Sequence, residues 1–396
     1  MKKLLVIAPI PACIAGPGIY LDSKFVEGMR FYSGRWKGRV TAVFQRSTQR
    51  LPFDNLFTEA ELPFDVKFWD PGDAFSAEMV LQFDLVLCSG DIPTQSKVAH
   101  VCAGTATRAV FIIEYIPETR HQIVTLSHRP FSPKAIFQFA KLAIEERARQ
   151  RAFKLAAGVQ CNGYPAYDFY KNINGSTILY IDSRMSSSLM ADEYQLVERE
   201  AYLSSGNPIR ILHSGRLEPM KGSQDIIPIA RKLVDLGVDF RIDIFGAGSL
   251  ENTIRNDIAH FNLQERIIMH GVVDFSTQLL PFAKRQSDIF LSCNRQSDPS
   301  CTYLESMGCG LPIVGYDNRM WTALCADSEA GMIAPMGDHD KMAKLIGGLK
   351  GNLSLISKLA RNALRFAKHR DFEREFEKRI CHLEILVNQS TSVVKS

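Results

Sequence analysis

Short apolar runs recur along the chain, separated by longer stretches in which apolar and charged residues alternate at helical spacing. Runs at 4–9, 40–44, 66–69, 85–89, 109–114, 159–162 and 178–180 read as strands, and several are apolar throughout, as strands covered on both faces are. The stretches between them, such as 133–155 with its Ala, Lys, Arg and Phe, are long enough for crossover helices. This alternation predicts a doubly wound parallel sheet. From 182 to 208 the rhythm breaks: Ser186-Ser187-Ser188, an acidic helical patch and Ser204-Ser205-Gly206-Asn207-Pro208 follow one another. It restarts with strands at 209–213, 240–245, 267–269, 289–293, 313–316 and 332–333, and helices near 223–237, 250–261, 276–285, 302–309 and 339–350. Phe372, Phe376, Ile380, Leu383 and Leu386 have helical spacing and predict an amphipathic helix over about 372–388. The last ten residues read as a frayed tail.

At roughly 150 residues per domain, 396 residues give two or three domains. Hydrophobic residues at 46% and charged ones at 23% exclude a largely disordered chain or a fibre. No run reaches the roughly 18 apolar residues that span a bilayer. The run at 4–9 is too short for a signal peptide and stops at prolines and glycines, so it reads as a buried first strand. Nine scattered cysteines without a CxxC pair argue against a zinc or redox motif and for reduced thiols in the cytoplasm. A net charge of +4 is too small to point to nucleic acid, although it leaves anionic small molecules open.

Three segments carry candidate chemistry. In His213-Ser214-Gly215-Arg216-Leu217-Glu218-Pro219-Met220-Lys221-Gly222 a strand ends in a glycine turn, and two cations follow before the next helix. Ligands are expected at the carboxyl end of such a strand. A guanidinium fork and an ammonium suit a diphosphate, each charge-assisted hydrogen bond contributing roughly 1.5–3 kcal/mol. Two solvated loop charges explain the spacing equally well. Gly246-Ala247-Gly248 joins a strand to a helix, where backbone N–H groups can approach a ligand or simply form a tight turn. It lacks the third glycine of a dinucleotide fingerprint and does not open the first unit, which speaks against a nicotinamide-dependent enzyme. In Gln296-Ser297-Asp298-Pro299-Ser300-Cys301-Thr302-Tyr303-Leu304-Glu305 a polar loop leads into a short helix, and Glu305 could accept two hydrogen bonds from a vicinal diol such as a ribose.

In order, spacing and text these segments resemble the retaining glycosyltransferases of family 4, most closely over about 209–350. Arg216 to Lys221-Gly222 matches that family's Gly-Arg-Leu…Lys-Gly, Gly246-Ala247-Gly248 its Gly-x-Gly turn, and Glu305-Ser306-Met307-Gly308-Cys309-Gly310-Leu311-Pro312-Ile313-Val314 its Glu-Ala-Met-Ala-Cys-Gly-x-Pro-Val-Val. The resemblance implies the α/β GT-B fold: two Rossmann-like doubly wound domains facing a central cleft, with the C-terminal helix crossing back to the N-terminal domain. The expected division is 1–185 plus about 372–388 as the acceptor domain, 186–208 as linker and 209–371 as the donor domain. It implies sugar transfer from a nucleoside-diphosphate donor to a saccharide or lipid-linked acceptor. Arg216 and Lys221 would hold the diphosphate, with Gly215, Gly246 and Gly248 beside them. Glu305 would take the ribose, Val272 and Val273 would border the base, and Pro299, Ser300, Cys301 and Thr302 would contact sugar and phosphates.

The family usually places another Glu eight residues before the one at 305. Here Ser297 stands there, with Asp298 beside it, so either the loop shifts and Asp298 contacts the donor sugar or the sugar is recognised differently. This substitution keeps a second reading alive, a non-catalytic nucleotide-sugar-binding subunit of a glycan assembly complex. Asp338-His339-Asp340 could hold a metal, but the apolar stripe after it makes Asp338 a helix N-cap with Asp340 in the first turn. No metal and no cofactor are expected, the nucleotide sugar being a substrate. In the first half, Gly16 and Gly18 of Ala15-Gly16-Pro17-Gly18 resemble the family's cleft-facing glycine loop, with a simple turn as the plainer reading. Glu114 ends a buried strand where the family often has His, and Glu114 or His121 could orient the acceptor hydroxyl. The basic stretch 134–154 fits a sheet-covering helix and leaves peripheral membrane contact open.

Overall fold

The computed structural model describes residues 2–51, 54–70, 76–127 and 132–389. The chain divides into two compact units, one of Met1–His121, Phe131–Tyr180 and Glu375–Ser396, the other of Gln122–Pro130 and Ile181–Arg374.

In the first unit the apolar runs form β1 (Lys2–Ile7), β2 (Ala12–Ala15), β3 (Gly18–Asp22), β4 (Gly38–Ser47), β5 (Asp54–Thr58), β6 (Asp65–Trp69), β7 (Leu85–Ser89), β8 (Arg108–Ile113), β9 (Gly158–Asn162) and β10 (Thr177–Tyr180). The order is β10-β9-β8-β7-β1-β4, and β4 also pairs with β6, all parallel. Leu4, Leu5, Val86, Leu87, Val110 and Phe111 are buried on both faces of this sheet, each contributing about 1.5–3 kcal/mol. Beyond β4 the sheet continues as β2, β3 and β5, which sequence periodicity did not reveal. β2 and β3 are an antiparallel hairpin with Ala15 opposite Gly18, so Gly16 (φ +55°) and Pro17 are its turn. The Ser23–Arg35 helix begins only after the hairpin, capped by Asp22 accepting from the Phe25 N–H at 2.8 Å.

The Pro133–Leu155 helix starts at a Ser132 cap and buries Ala152 and Phe153, the Phe153 ring meeting Phe111 and Tyr170. Its outer side exposes Ile136, Phe137 and Ile144. The Phe372–Asn388 helix supplies Phe376, Ile380, Leu383 and Leu386 to the core. Phe376 packs edge-on against Phe31 and Tyr32, and a Cβ on Gly158 would stand 2.6 Å from Leu386. Of the expected frayed tail, 390–396 lie outside the described residues.

The second unit holds β11 (Ile209–Ser214), β12 (Phe240–Phe245), β13 (Ile267–Gly271), β14 (Ile289–Ser292), β15 (Ile313–Tyr316) and β16 (Gly331–Ala334). All are parallel, in the order β13-β12-β11-β14-β15-β16. The Ile226–Asp235 helix buries Ile226, Ile227, Ile229, Ala230 and Leu233 on one side of the core. The segment 186–208, expected as a linker, packs within this unit. Its Glu193–Ser204 helix opens with an Asp192–Gln195 capping box and inserts Arg199, which donates to the carbonyls of Ser287 and Gly310. Helices Arg319–Ser328 and Leu353–His369 were not predicted. Among the described residues no helix is long and apolar enough to cross a membrane.

Candidate functional site

β11 and β14 are neighbours, and the chain leaves β11 toward β12 on one side and β14 toward β15 on the other, so the two connections diverge and open a crevice at their carboxyl ends. Glycine lets the loops around it close on one another. A Cβ on Gly246 (φ +122°) would stand 1.9 Å from the Gly215 carbonyl oxygen, and one on Gly222 (φ +69°) 1.8 Å from that of Cys293. A Cβ on Gly248 would stand 2.4 Å from the Leu217 carbonyl oxygen. Backbone hydrogen bonds fill these contacts: the Gly215 N–H donates to Phe245, the Leu217 N–H to Ala247 and the Gly246 N–H to Gly271. Glu218 accepts from both the N–H and the hydroxyl of Ser249, which hold its carboxyl below the usual range.

On this scaffold the expected charges take different states. Arg216 is exposed; its carbonyl accepts from the Glu218 N–H and the Ser223 hydroxyl, while its guanidinium makes no hydrogen bond or ion pair among the described residues. Lys221, in a short 3-10 turn closed by left-handed Gly222, donates to Asp298 Oδ2 at 2.5 Å. Only 12% and 11% of these two side chains are exposed, and Asp298 Oδ1 is buried without a partner. Glu305 is buried and accepts from Arg184 Nε at 2.9 Å, while the Arg184 guanidinium lies over the Phe275 ring. Ser297 is buried and accepts from the Arg319 N–H. The Ser300 N–H is taken by the Asp298 carbonyl, and the Ser300 and Thr302 hydroxyls are 2.9 Å apart. Pro299 is buried and Cys301 half-buried. Val272 and Val273 follow β13, Val272 being 66% exposed. The segments after β11, β13 and β14 thus hold an exposed Arg216, the Lys221–Asp298 and Arg184–Glu305 pairs and an exposed Val272.

Residues 195–365 match the family described as glycosyl transferases group 1. They form a group 1 glycosyltransferase domain.

Curated relatives include the amylovoran biosynthesis glycosyltransferase AmsK of Erwinia amylovora, 30% identical over 154 residues and 35% of each chain. Another is the N-acetyl-alpha-D-glucosaminyl L-malate synthase of Bacillus anthracis, 23% identical over 168 residues and 41% of each chain. The chain thus spans well under half the length of these relatives. Both units together resemble HepE of Anabaena, solved in complex with UDP, with a TM-score of 0.68 at 14% identity, covering 97% of this chain and 100% of that one. The fold is GT-B, two Rossmann-like α/β units.

Inside the group 1 domain lie polar residues that sequence reasoning missed. Asp225 is buried and accepts from Arg295 Nε and Nη2 at 3.0 and 2.8 Å and from His339 Nε2 at 3.1 Å. The Arg295 N–H also donates to the Met220 carbonyl, so Arg295 brackets the turn that carries Lys221. Asp225 raises the Arg295 guanidinium above its ordinary value. His213 is buried, its Nδ1 on the Leu291 carbonyl and its Nε2 without a partner, and burial lowers its pKa. The available signal was the polar run Asn294-Arg295-Gln296 directly after an apolar strand. Asp338 caps the His339–Lys350 helix, accepting from the Lys341 N–H at 2.8 Å, and Asp340 pairs with Lys232.

Outside the group 1 domain, Glu114 follows β8 and accepts from Asn162 Nδ2 at the end of β9. Asp91 takes the N–H groups of Glu114 and Tyr115 together with Arg120. His121 is exposed, its ring edge-on to Phe139 at 5.3 Å. Glu114 and His121 thus sit in separate surroundings. Gly16 belongs to the hairpin turn, and Gly18 lies so close to Leu56 that a Cβ would stand 2.8 Å from it.

Proposed function

We propose that the protein is a retaining, family 4-type glycosyltransferase that moves a sugar from a nucleoside-diphosphate donor to an acceptor hydroxyl in glycan assembly. What supports this reading is that Arg216 and Lys221 follow β11 and that Glu305 lies on the helix after the neighbouring strand β14, all within the stretch that matches group 1 glycosyltransferases. Arg216 and Lys221 hold the donor diphosphate. Glu305 accepts from the ribose hydroxyls, with Arg184 keeping its carboxylate in place. Val272 and Val273 border the base. HepE was also solved with UDP-glucose, which makes a UDP-sugar the first donor to test.

As the sugar–phosphate bond breaks, negative charge grows on the departing diphosphate. Cations already in place stabilise that charge more than the ground state, so they lower the barrier without a metal. The acceptor hydroxyl attacks from the leaving-group side and passes its proton to a donor phosphate oxygen. Glu114 and His121 of the first unit are assigned to the acceptor. A polysaccharide or lipid-linked acceptor fits, and exposed Ile136, Phe137 and Ile144 among Lys141, Arg147 and Arg151 favour contact with an anionic membrane. Nine free cysteines favour the cytoplasm. Ser297, buried where the family has Glu, favours the second reading of a donor-binding subunit without turnover.

Thermal stabilisation by UDP-, GDP- and ADP-sugars identifies the donor. With it, Arg216→Ala lowers turnover by about 100-fold or more at unchanged melting temperature, and Lys221→Ala lowers turnover as much while also lowering the melting temperature, because it leaves the buried Asp298 carboxylate without its partner. Turnover like that of the unaltered protein in either variant refutes the assignment. Donor binding without turnover in a broad acceptor mixture supports the second reading.

A further inference from the structure

We infer that Asp298 is a built-in counter-anion that occupies Lys221 in the free protein and must be displaced by the donor diphosphate. The inference rests on the proposed reading of Lys221 as a phosphate ligand. The two proposed diphosphate cations differ sharply in state. Arg216 is exposed and its guanidinium is unengaged among the described residues, whereas Lys221 is sequestered on a carboxylate 77 positions away in sequence. With Nζ 2.5 Å from Oδ2 and both side chains nearly buried, the pair is electrically neutral toward an arriving anion. The free site therefore offers one effective cation, not two.

Lys221 has three N–H donors, but a phosphate and the Asp298 carboxylate held together on one ammonium in this nearly buried place would set two anions side by side, and their repulsion makes them compete for it. The diphosphate, with the larger charge and Arg216 beside it, is the one that stays. Asp298 is the group that can move: among the described residues its Oδ1 has no partner, and Lys221 alone holds its carboxylate through Oδ2. It also lies in the irregular segment between β14 and the Thr302–Gly308 helix, where its side chain can rotate without disturbing regular structure. Lys221, by contrast, is fixed. Its turn is closed by Gly222, bracketed by Arg295 and tied to Asp225 and His339. The exchange consumes part of the donor's binding free energy, so Asp298 weakens diphosphate affinity in proportion to what Lys221 gives up.

Calorimetric titration of the full chain with UDP, and with GDP and ADP in parallel, tests this. Asp298→Asn keeps the shape and removes the charge, and it should bind the preferred diphosphate about tenfold tighter or more. Asp298→Glu keeps the charge and should show no such gain. Asp239→Asn removes an acid paired with Arg266 and Lys350 just before β12, at the opposite end of the sheet, and controls for net charge with no change expected. Should Asp298→Asn not fold, Asp298→Ala must give the same tightening. Affinity equal to or weaker than that of the unaltered protein in the folded neutral variant overturns the exchange while leaving the donor reading intact. Absence of binding of all three nucleotides to the unaltered protein overturns the donor reading and the exchange with it.

Discussion

The two units order their parallel strands alike and finish them differently. In both, the first strand lies inside the sheet with crossovers leaving to either side. In the second unit the loops after β11, β12 and β14 close on one another backbone to backbone through Gly215, Gly222, Gly246 and Gly248, and they hold the turn that carries Lys221. In the first unit the chain leaves β1 into the β2–β3 hairpin, and its glycine turn is open: nothing lies within 4 Å of a Cβ on Gly16. The same topology thus supports tightly closed loops after the first strand in one unit and an open hairpin turn in the other. The difference comes from a few glycines placed where carbonyl oxygens need the space.

The largest expected effect separates the two glycine types. Gly222→Ala forces a Cβ into the Cys293 carbonyl at positive φ and should cost about 3 kcal/mol or more in denaturant unfolding. Gly16→Ala meets only the left-handed backbone penalty of about 1–2 kcal/mol. Equal costs break the comparison. A smaller effect is expected at Asp338, where Ala should remove an N-cap worth about 1 kcal/mol and leave turnover and its resistance to excess EDTA unchanged. Mg²⁺-reversible loss of activity in EDTA contradicts the metal-free reading.

The smallest effect is a pH dependence shared by the units. Burial lowers the pKa of His213 in the second unit and of His382 in the first. A histidine depressed in the folded state binds fewer protons there than when unfolded. Its stabilisation is complete above the unfolded value of about 6.5 and is lost as pH falls through the folded one. Each should contribute less than about 1 kcal/mol of loss at pH 6, and His213→Gln should flatten the slope of the second unit alone. A slope unaffected by that change shows that His213 does not titrate on unfolding.

The parallel strands of both units were legible because burial on both faces makes many of them continuous apolar runs, whereas the Arg319–Ser328 and Leu353–His369 helices were not read. β2, β3 and β5 were not, since they are four or five residues long, mix buried with half-buried or exposed positions and are defined by their neighbours. At the site, Arg216, Lys221 and Glu305 stood out by local context. The partner of Lys221 did not: whether Asp298 faces a sugar or a lysine depends on β11 and β14 being adjacent, which no local pattern encodes. The Asp225–Arg295–His339 cluster was hidden for the same reason, its members coming from segments that follow β11, β14 and β16.

A crystal structure of the protein with UDP tests the central claim most directly. The expected result is diphosphate oxygens within hydrogen-bond reach of Lys221 Nζ and the Arg216 guanidinium, with the ribose on Glu305. A diphosphate bound elsewhere, with both cations pointing away from it, contradicts the account.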